Sequence, residues 1–225
     1  MLRAIVFDFD GVIANSEPLH YRAFHDVLAE SGVSFSEREY YARYLGFDDR
    51  EVFRTLMADR GLTCPASRVA ELVVRKAARL EHLERDVSIL FPGVDATIRR
   101  AAAAVPLAIA SGALGVEIRR TLDRERLTGC FSAIVAAEDT PASKPAPDPY
   151  LRALALLSEA TGRPMAAAEC VAVEDSPWGL QSARAAGFHT VAVAQTYEAS
   201  ALEADITIAS LDSLDLKALG QLCAK

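Results

Sequence analysis

Two aspartates near the N-terminus, Asp8 and Asp10, follow an apolar run that begins at Ala4. A continuous apolar run of this kind is typical of a strand buried on both faces of a parallel sheet. Gly11 marks the end of that strand, because glycine tolerates backbone angles that other residues avoid. The two carboxylates therefore lie at the carboxyl end of a core strand, where open α/β sheets bind ligands. One is placed to be a nucleophile or metal ligand and the other a general acid/base, with an ordinary Asp-Gly turn as the alternative.

Polar groups also follow two later stretches of the chain. Ser111 and Gly112 follow an apolar run, so their hydroxyl and backbone amides suit an anion at a helix start, although a simple turn or cap uses the same residues. Lys144 lies in a loop that contains three prolines. A lone loop lysine is usually solvated, but rigid prolines around it favour a cation held in place.

Two adjacent acids, Glu174 and Asp175, end another apolar run. Such a pair is costly at a sheet edge unless a metal ion or a cation neutralises it. Together with Asp8, the pair makes a set of hard oxygen ligands suited to Mg²⁺.

Taken together, these polar groups are suited to phosphoryl transfer. Ser111, Lys144 and the helix amides suit the phosphate oxygens, and Asp8 is the carboxylate placed to attack phosphorus in line. Asp10 can protonate the leaving oxygen and later activate water.

The positions of these groups depend on an α/β sheet with a helical insertion. Apolar runs alternate with helical stretches, which predicts a Rossmann-like parallel sheet with helices on both faces. Four amphipathic helices with short loops are predicted between the first strand and the rest. We therefore expect an α/β catalytic core domain over residues 1–15 and 88–225, and an inserted four-helix-bundle cap domain over residues 16–87, above the carboxylates. The later predicted strands are Leu107 to Ala110, Ala133 to Ala136, Cys170 to Val173, Thr190 to Ala194 and Ile206 to Ile208.

Composition narrows the class of protein further. The 225 residues are 51% hydrophobic and 24% charged, which is ordinary for a globular enzyme. The formal net charge of −7 provides no broad basic surface for nucleic acid or anionic membrane. Four scattered cysteines form no zinc or redox motif and suit a reducing compartment. No apolar run approaches a membrane span, so we expect a cytoplasmic protein.

The ordered set of motifs resembles the haloacid dehalogenase superfamily, and the resemblance covers essentially the whole chain. No P-loop or dinucleotide-binding glycine motif is present. The matching motifs are Asp8 with Asp10, Ser111, Lys144, and Glu174 with Asp175, in the order that the superfamily has them. The helical insertion is similar to the cap of the subgroup that includes phosphoglycolate phosphatase, sugar-phosphate phosphatases and beta-phosphoglucomutase.

The resemblance implies a role for each matching residue. Asp8 would be the nucleophile and a Mg²⁺ ligand, and Asp10 would be the acid/base and a ligand through its backbone carbonyl. Ser111 and Lys144 would hold the transferring phosphoryl group. The metal site would be completed by Glu174 and Asp175. True dehalogenases of the superfamily lack the second aspartate, so Asp10 favours phosphoryl chemistry.

The predicted cap also provides candidates for substrate binding. His20 matches a histidine of the mutase and of many related phosphatases, although a helix histidine facing the bundle is the alternative. The mutase holds a second phosphate with a lysine before a loop glycine and an arginine after it. Here the lysine is missing before Gly46, and Arg50 is displaced by one position behind two acids. Lys76 is a further candidate, with a solvated helix lysine as the alternative.

We therefore expect a Mg²⁺-dependent phosphatase of small phosphorylated metabolites, such as a sugar phosphate, that acts through an aspartyl-phosphate. A phosphoglucomutase-type transferase is the alternative enzyme, and a catalytically silent metabolite-binding protein is the alternative outside enzymes. The expected partner is a small phosphorylated metabolite, not nucleic acid or a membrane. A monomer is expected, although no feature of the sequence fixes the oligomeric state.

Overall fold

The computed structural model describes residues 1–45, 47–85 and 87–224. Its strands form one parallel sheet with the order β3-β2-β1-β4-β5-β6. The strands are β1 (Ala4–Phe7), β2 (Leu107–Ala110), β3 (Ala133–Val135), β4 (Cys170–Glu174), β5 (His189–Val193) and β6 (Ile206–Ile208). The predicted α/β class is confirmed, and the later strands have the predicted bounds to within one residue.

The central position of β1 follows from its apolar residues. All four are fully buried, so the strand is covered on both faces. Phe7 pairs with Ile109 of β2 on one side and with Val173 of β4 on the other. The chain runs outward from β1 to β3 on one side and then from β4 to β6 on the other. The carboxyl ends of β1 and β4 therefore meet at the switch point of the sheet, where α/β folds bind ligands.

The first strand is shorter than the sequence predicts. It ends at Phe7 rather than at Gly11, because the backbone from Phe9 to Ala14 forms a turn with hydrogen bonds of its own. The amides of Ile13 and Ala14 both donate to the carbonyl of Phe9, and the amide of Gly11 donates to the carbonyl of Ala14. Gly11 has a φ of 75°, the left-handed conformation that favours glycine.

Helices cover the sheet. The helices α5 to α9 are Val94–Ala102, Gly115–Arg124, Asp148–Thr161, Pro177–Ala185 and Leu216–Leu222. Helix α7 packs against β1, β2 and β3, and α8 packs against β4 and β5. Tyr150 and Leu157 of α7 join the alanines and valines of one sheet face in a buried cluster.

The helical block contains the four predicted helices, α1 to α4: Glu17–Ala29, Glu37–Arg43, Asp49–Asp59 and Ala66–Glu84. Ser36 caps α2 by accepting from the Glu39 amide, and Asp48 caps α3 by accepting from the Glu51 amide. Ser16 stands at the N-cap of α1 but accepts no capping hydrogen bond, since its backbone is already helical. The predicted end of α2 near Gly46 lies outside the described residues.

The chain divides into two compact units. We call Met1–Asn15 with Ile89–Lys225 the α/β unit, and Ser16–Ser88 the helical unit. The helical unit has its own core of aromatic and aliphatic side chains from its helices. Within the described residues, no helix is both long and apolar enough to cross a membrane. The four cysteines are free thiols.

Candidate active site

Three carboxyl groups converge at the carboxyl ends of β1 and β4. Asp8, Glu174 and Asp175 each offer one oxygen, and these oxygens all lie within 4.8 Å of one another. All three residues are buried. The ammonium of Lys144 joins them, with Nζ 2.9 Å from Asp8 Oδ1 and 2.6 Å from Glu174 Oε1. The structure thus brings together four of the residues that the sequence singled out.

The sheet positions the carboxyl groups, and a loop delivers the lysine. Asp8 directly follows β1, and its amide donates to the carbonyl of Val173 in β4 at 2.9 Å. Its Oδ1 accepts from the amide of Phe9 at 2.7 Å as well as from Lys144. Two donors therefore fix the orientation of the Asp8 carboxyl group.

Burial and crowding set the protonation behaviour of the cluster. Burial, followed by the nearby Glu174, raises the pKa of Asp8 to about 6, although Lys144 opposes this shift. Burial, followed by Asp8 and Glu174, raises the pKa of Asp175 well above its usual range. Burial alone would lower the pKa of Lys144, but Asp8 and Glu174 outweigh that effect and raise it. Lys144 therefore remains a cation, whereas Asp8 and Asp175 are harder to ionise than they would be in water.

The donor set fits a hard divalent cation. Three carboxyl groups face one ammonium, so the fully ionised cluster carries an excess of negative charge in a buried place. Carboxylate oxygens are the ligands that Mg²⁺ uses in proteins, together with water and substrate phosphate. A cation at this position would offset both the burial and the repulsion that raise the pKa values of Asp8 and Asp175.

A second set of groups, which the sequence analysis missed, holds Glu174. Its Oε1 accepts from the Tyr150 hydroxyl at 2.8 Å as well as from Lys144. Its Oε2 accepts from the Asp175 amide at 3.1 Å and from the Ser176 amide and hydroxyl at 3.4 and 3.2 Å. Both oxygens of this fully buried side chain are therefore engaged.

Asp175 has close neighbours of its own. The Thr196 side chain is a hydrogen-bond partner of the Asp175 carboxyl group. A Cβ atom added at Gly11 would overlap the Asp175 carboxyl group. The glycine is therefore required both for its backbone angle and for the approach of this acid.

Ser111, Gly112 and Asp10 are not part of this cluster. Ser111 directly follows β2, is buried, and accepts from the Ala113 amide at 3.1 Å through its hydroxyl. Gly112 is exposed. The next helix begins only at Gly115, so Ser111 lies in a loop rather than at the helix start that the sequence predicts. Asp10 is partly buried in the turn after β1.

The helical unit contains a polar cluster of its own. Lys76 is only 2% exposed, so it is not the solvated lysine of the alternative interpretation. Its Nζ donates to Asp49 Oδ1 at 2.7 Å and lies 3.0 Å from His20 Nδ1 and 4.7 Å from the centre of the Phe24 ring. Arg50 is exposed. Of the three predicted substrate-binding residues in this unit, the structure pairs His20 with Lys76.

The missed residues had weak signals in the sequence. Thr196 comes shortly after β5, so the rule that polar groups at strand ends form the site could have found it. Tyr150 is an aromatic residue in the first turn of a helix, a pattern that normally indicates core packing. Asp49 is one of the two acids noted in the loop, but its partner Lys76 lies 27 positions away.

Comparisons with known proteins show what the chain is similar to. The profile of the haloacid dehalogenase-like hydrolases matches residues 5–193. The chain is 33% identical over 223 residues to hexitol phosphatase B of Escherichia coli, covering 96% of both chains. It is 32% identical over 203 residues to protein CbbY of Rhodobacter capsulatus, covering 87% of both chains.

Solved structures share the fold. The CbbY of Rhodobacter sphaeroides in complex with xylulose-1,5-bisphosphate has a TM-score of 0.82 and 26% identity, covering 97% of this chain and 99% of that one. A beta-phosphoglucomutase of Clostridium difficile has a TM-score of 0.80 but only 16% identity, over 100% of this chain and 98% of that one. The latter similarity concerns the fold alone and gives no support to the mutase alternative.

These findings confirm the family and the enzyme class that the sequence predicts. The profile match covers most of the chain, and a relative named as a phosphatase is more than 30% identical over nearly its whole length. The protein is an enzyme of the phosphatase type, and it belongs to the haloacid dehalogenase-like hydrolases.

Proposed function

We propose that the protein is a Mg²⁺-dependent phosphatase of small sugar phosphates that acts through an aspartyl-phosphate on Asp8. The observation that carries this proposal is the buried arrangement of Asp8, Lys144, Glu174 and Asp175 at the switch point of the sheet. A carboxylate with a lysine at 2.9 Å and two further acids beside it is suited to nucleophilic attack on a phosphate ester.

In the first half-reaction, an oxygen of Asp8 bonds to phosphorus and the bond from phosphorus to the sugar oxygen breaks. Asp10 gives a proton to that leaving oxygen. The Lys144 ammonium, the Ser111 hydroxyl and the Gly112 amide stabilise the charge on the other phosphoryl oxygens.

In the second half-reaction, water replaces Asp8 on phosphorus. Asp10, now ionised, takes a proton from the water, the new oxygen–phosphorus bond forms and the bond to Asp8 breaks. Inorganic phosphate leaves and both aspartates return to their starting state.

The proposed metal ligands are the carboxyl groups of Asp8, Glu174 and Asp175 and the backbone carbonyl of Asp10. When bound there, Mg²⁺ supplies positive charge that offsets the repulsion between the phosphate and the nucleophile.

We further propose that the helical unit is the cap, and that His20, Arg50 and Lys76 contribute to substrate choice. The ammonium of Lys76 is balanced by Asp49 at 2.7 Å. Burial, followed by the charge of Lys76, lowers the pKa of His20 to about 3, so its ring is neutral. A cluster without excess positive charge favours sugar hydroxyls over a second phosphate group. The substrate class is therefore a monophosphate.

Phosphate release from a substrate panel tests the proposal. The panel contains a hexitol monophosphate, other sugar monophosphates, phosphoglycolate and xylulose 1,5-bisphosphate, each with Mg²⁺ and with a chelator. We expect release from sugar monophosphates that needs Mg²⁺, and a kcat/KM at least about tenfold lower for the bisphosphate.

The matched control is Asp8→Asn, which keeps the shape of the side chain but removes the nucleophile. We expect it to bind Mg²⁺ more weakly and to lose turnover by at least about 10⁴-fold. Release that persists in this variant, or that requires a sugar bisphosphate as a primer, would contradict the proposal. The cytoplasmic location and the monomeric state remain predictions.

A further inference from the structure

Tyr150 is a buried residue of the α/β unit to which the proposed chemistry assigns no role. It lies in the first turn of α7 and is fully buried. The centre of its ring lies 5.6 Å from the centre of the Phe188 ring. Its hydroxyl donates to Glu174 Oε1 at 2.8 Å, within the fully buried part of the site. A phenol that served only to fill the core would need no such partner, since phenylalanine fills the same space.

The Tyr150 hydroxyl shares its acceptor with the lysine of the site. Lys144 Nζ donates to the same Oε1 at 2.6 Å and to Asp8 Oδ1 at 2.9 Å. The same Nζ lies 5.4 Å from the centre of the Tyr150 ring, within cation–π range. Tyr150 therefore contacts Lys144 through its ring and through their shared acceptor, Glu174.

Lys144 needs such support because its side chain has a long stem with several rotatable bonds. A lysine ammonium is a point charge on a flexible stem, so its position depends on the groups that it binds. Glu174 can fix it only if its own carboxyl group is fixed. The turn of Asp175 and Ser176 holds Oε2, and Tyr150 supplies the other donor on Oε1.

We propose that Tyr150 is a positioning residue that fixes Glu174 Oε1 and thereby holds the Lys144 ammonium against Asp8. This inference rests on the proposed function, in which Lys144 faces the transferring phosphoryl group. Without the hydroxyl, Glu174 Oε1 keeps only Lys144 as a donor, and both side chains gain freedom. Misplacement of a reacting group by about 1 Å can lower a rate by about 10²-fold.

The test compares Tyr150→Phe with wild type on the panel monophosphate that has the highest kcat/KM. We expect kcat to fall about tenfold, with KM within about twofold of wild type, because the lost hydroxyl bonds to Glu174 and is none of the groups proposed to bind substrate. The Mn²⁺ affinity of the metal-free protein, followed by electron paramagnetic resonance, should fall by less than kcat does, because Glu174 Oε2 keeps its donors from Asp175 and Ser176.

Tyr44→Phe is the matched control. Tyr44 is also buried, and its hydroxyl donates to Asp59 Oδ2 at 2.7 Å within the helical unit. Both substitutions remove one oxygen from a buried tyrosine bonded to a carboxylate, so both should lower the melting temperature. Only Tyr150→Phe should lower kcat.

A double-mutant cycle with Glu174→Gln tests whether Tyr150 acts through Glu174. If it does, the double variant is no slower than Glu174→Gln alone. Independent effects that multiply would overturn the proposal, as would a Tyr150→Phe enzyme with the kcat of wild type.

A second pair of variants avoids dependence on the folding of Tyr150→Phe. The analogue 4-aminophenylalanine at position 150 keeps a hydrogen-bond donor, whereas 4-fluorophenylalanine has a similar size and no donor. We expect the first to keep most of the wild-type kcat and the second to lose about tenfold, and equal rates for the two would overturn the proposal. A wild-type enzyme that releases no phosphate would instead overturn the proposed function, and this role of Tyr150 with it.

Discussion

Lys76 shows how a single buried charge determines the state of its neighbours. Its ammonium donates to Asp49 and can only donate hydrogen bonds, since it has no lone pair. The His20 Nδ1 atom 3.0 Å away must therefore be the acceptor. The ring proton of His20 is then on Nε2. Burial, followed by the charge of Lys76, lowers the pKa of His20 to about 3. The residue thus presents a neutral N–H donor across the physiological pH range.

This arrangement predicts how stability depends on pH. In the unfolded chain His20 takes up a proton near its ordinary pKa of 6.5, whereas in the folded protein it does so only near pH 3. The unfolded state binds more protons between these values, so stability falls as the pH falls from 6.5. We expect His20 to contribute a loss of about 1–2 kcal/mol between pH 6.5 and pH 5.

Urea unfolding of wild type and of His20→Gln at several pH values measures this contribution. The variant has no proton to take up at position 20, so its stability should decline less steeply below pH 6.5. Equal slopes for the two proteins would show that His20 is not held neutral in the folded state.

At the scale of elements, Gly179 brings α8 directly against the Glu174 side chain. A Cβ atom added there would overlap the Glu174 carboxyl group. We expect Gly179→Ala to displace Glu174 and to lower kcat by about 10²-fold, with a loss of stability. Activity and thermal unfolding of the purified variant measure both effects.

Gly220 provides the matched control, because it also lies in a helix, α9, and a Cβ atom there would meet nothing within 4 Å. Gly220→Ala should leave activity unchanged and stabilise the protein by about 0.5–1 kcal/mol. Normal activity in Gly179→Ala would mean that α8 does not constrain Glu174.

The elements were predictable where one physical pattern dominates. Alternating apolar runs and helical periods were sufficient for the sheet and for the four helices of the helical unit. The end of β1 was not predictable, because the turn after Phe7 is closed by backbone hydrogen bonds, which do not depend on the type of side chain. The carboxyl groups were found because acids are rare at the ends of apolar runs, and Lys144 was found because its loop contains three prolines. Tyr150 was missed because its aromatic ring is indistinguishable from a core residue until its hydroxyl has a partner.

At the scale of the whole molecule, the site is a local concentration of negative charge in a protein whose formal net charge is already −7. Burial, followed by mutual repulsion, raises the pKa values of Asp8 and Asp175, and the same two effects are a cost to folding. A divalent cation that binds only the folded protein relieves that cost. The proposed metal site therefore predicts a metal-dependent stability.

Mg²⁺ at 100 times its dissociation constant should raise the melting temperature of wild type by about 5–10 °C. Asp175→Asn, which lacks one proposed ligand, should show a much smaller rise. Differential scanning calorimetry at constant ionic strength measures both, so that general screening does not contribute. An equal rise in the two proteins would exclude Asp175 as a ligand.

The most direct test of the account is to trap the phosphoryl group on the protein. Wild type is mixed with its best monophosphate substrate carrying radiolabelled phosphate, quenched in acid within milliseconds, and digested for peptide mapping. We expect the label on the peptide that contains Asp8 in wild type, and none in Asp8→Asn. Label on any other residue, or rapid phosphate release with no labelled protein at any time, would contradict the central claim that Asp8 is the nucleophile.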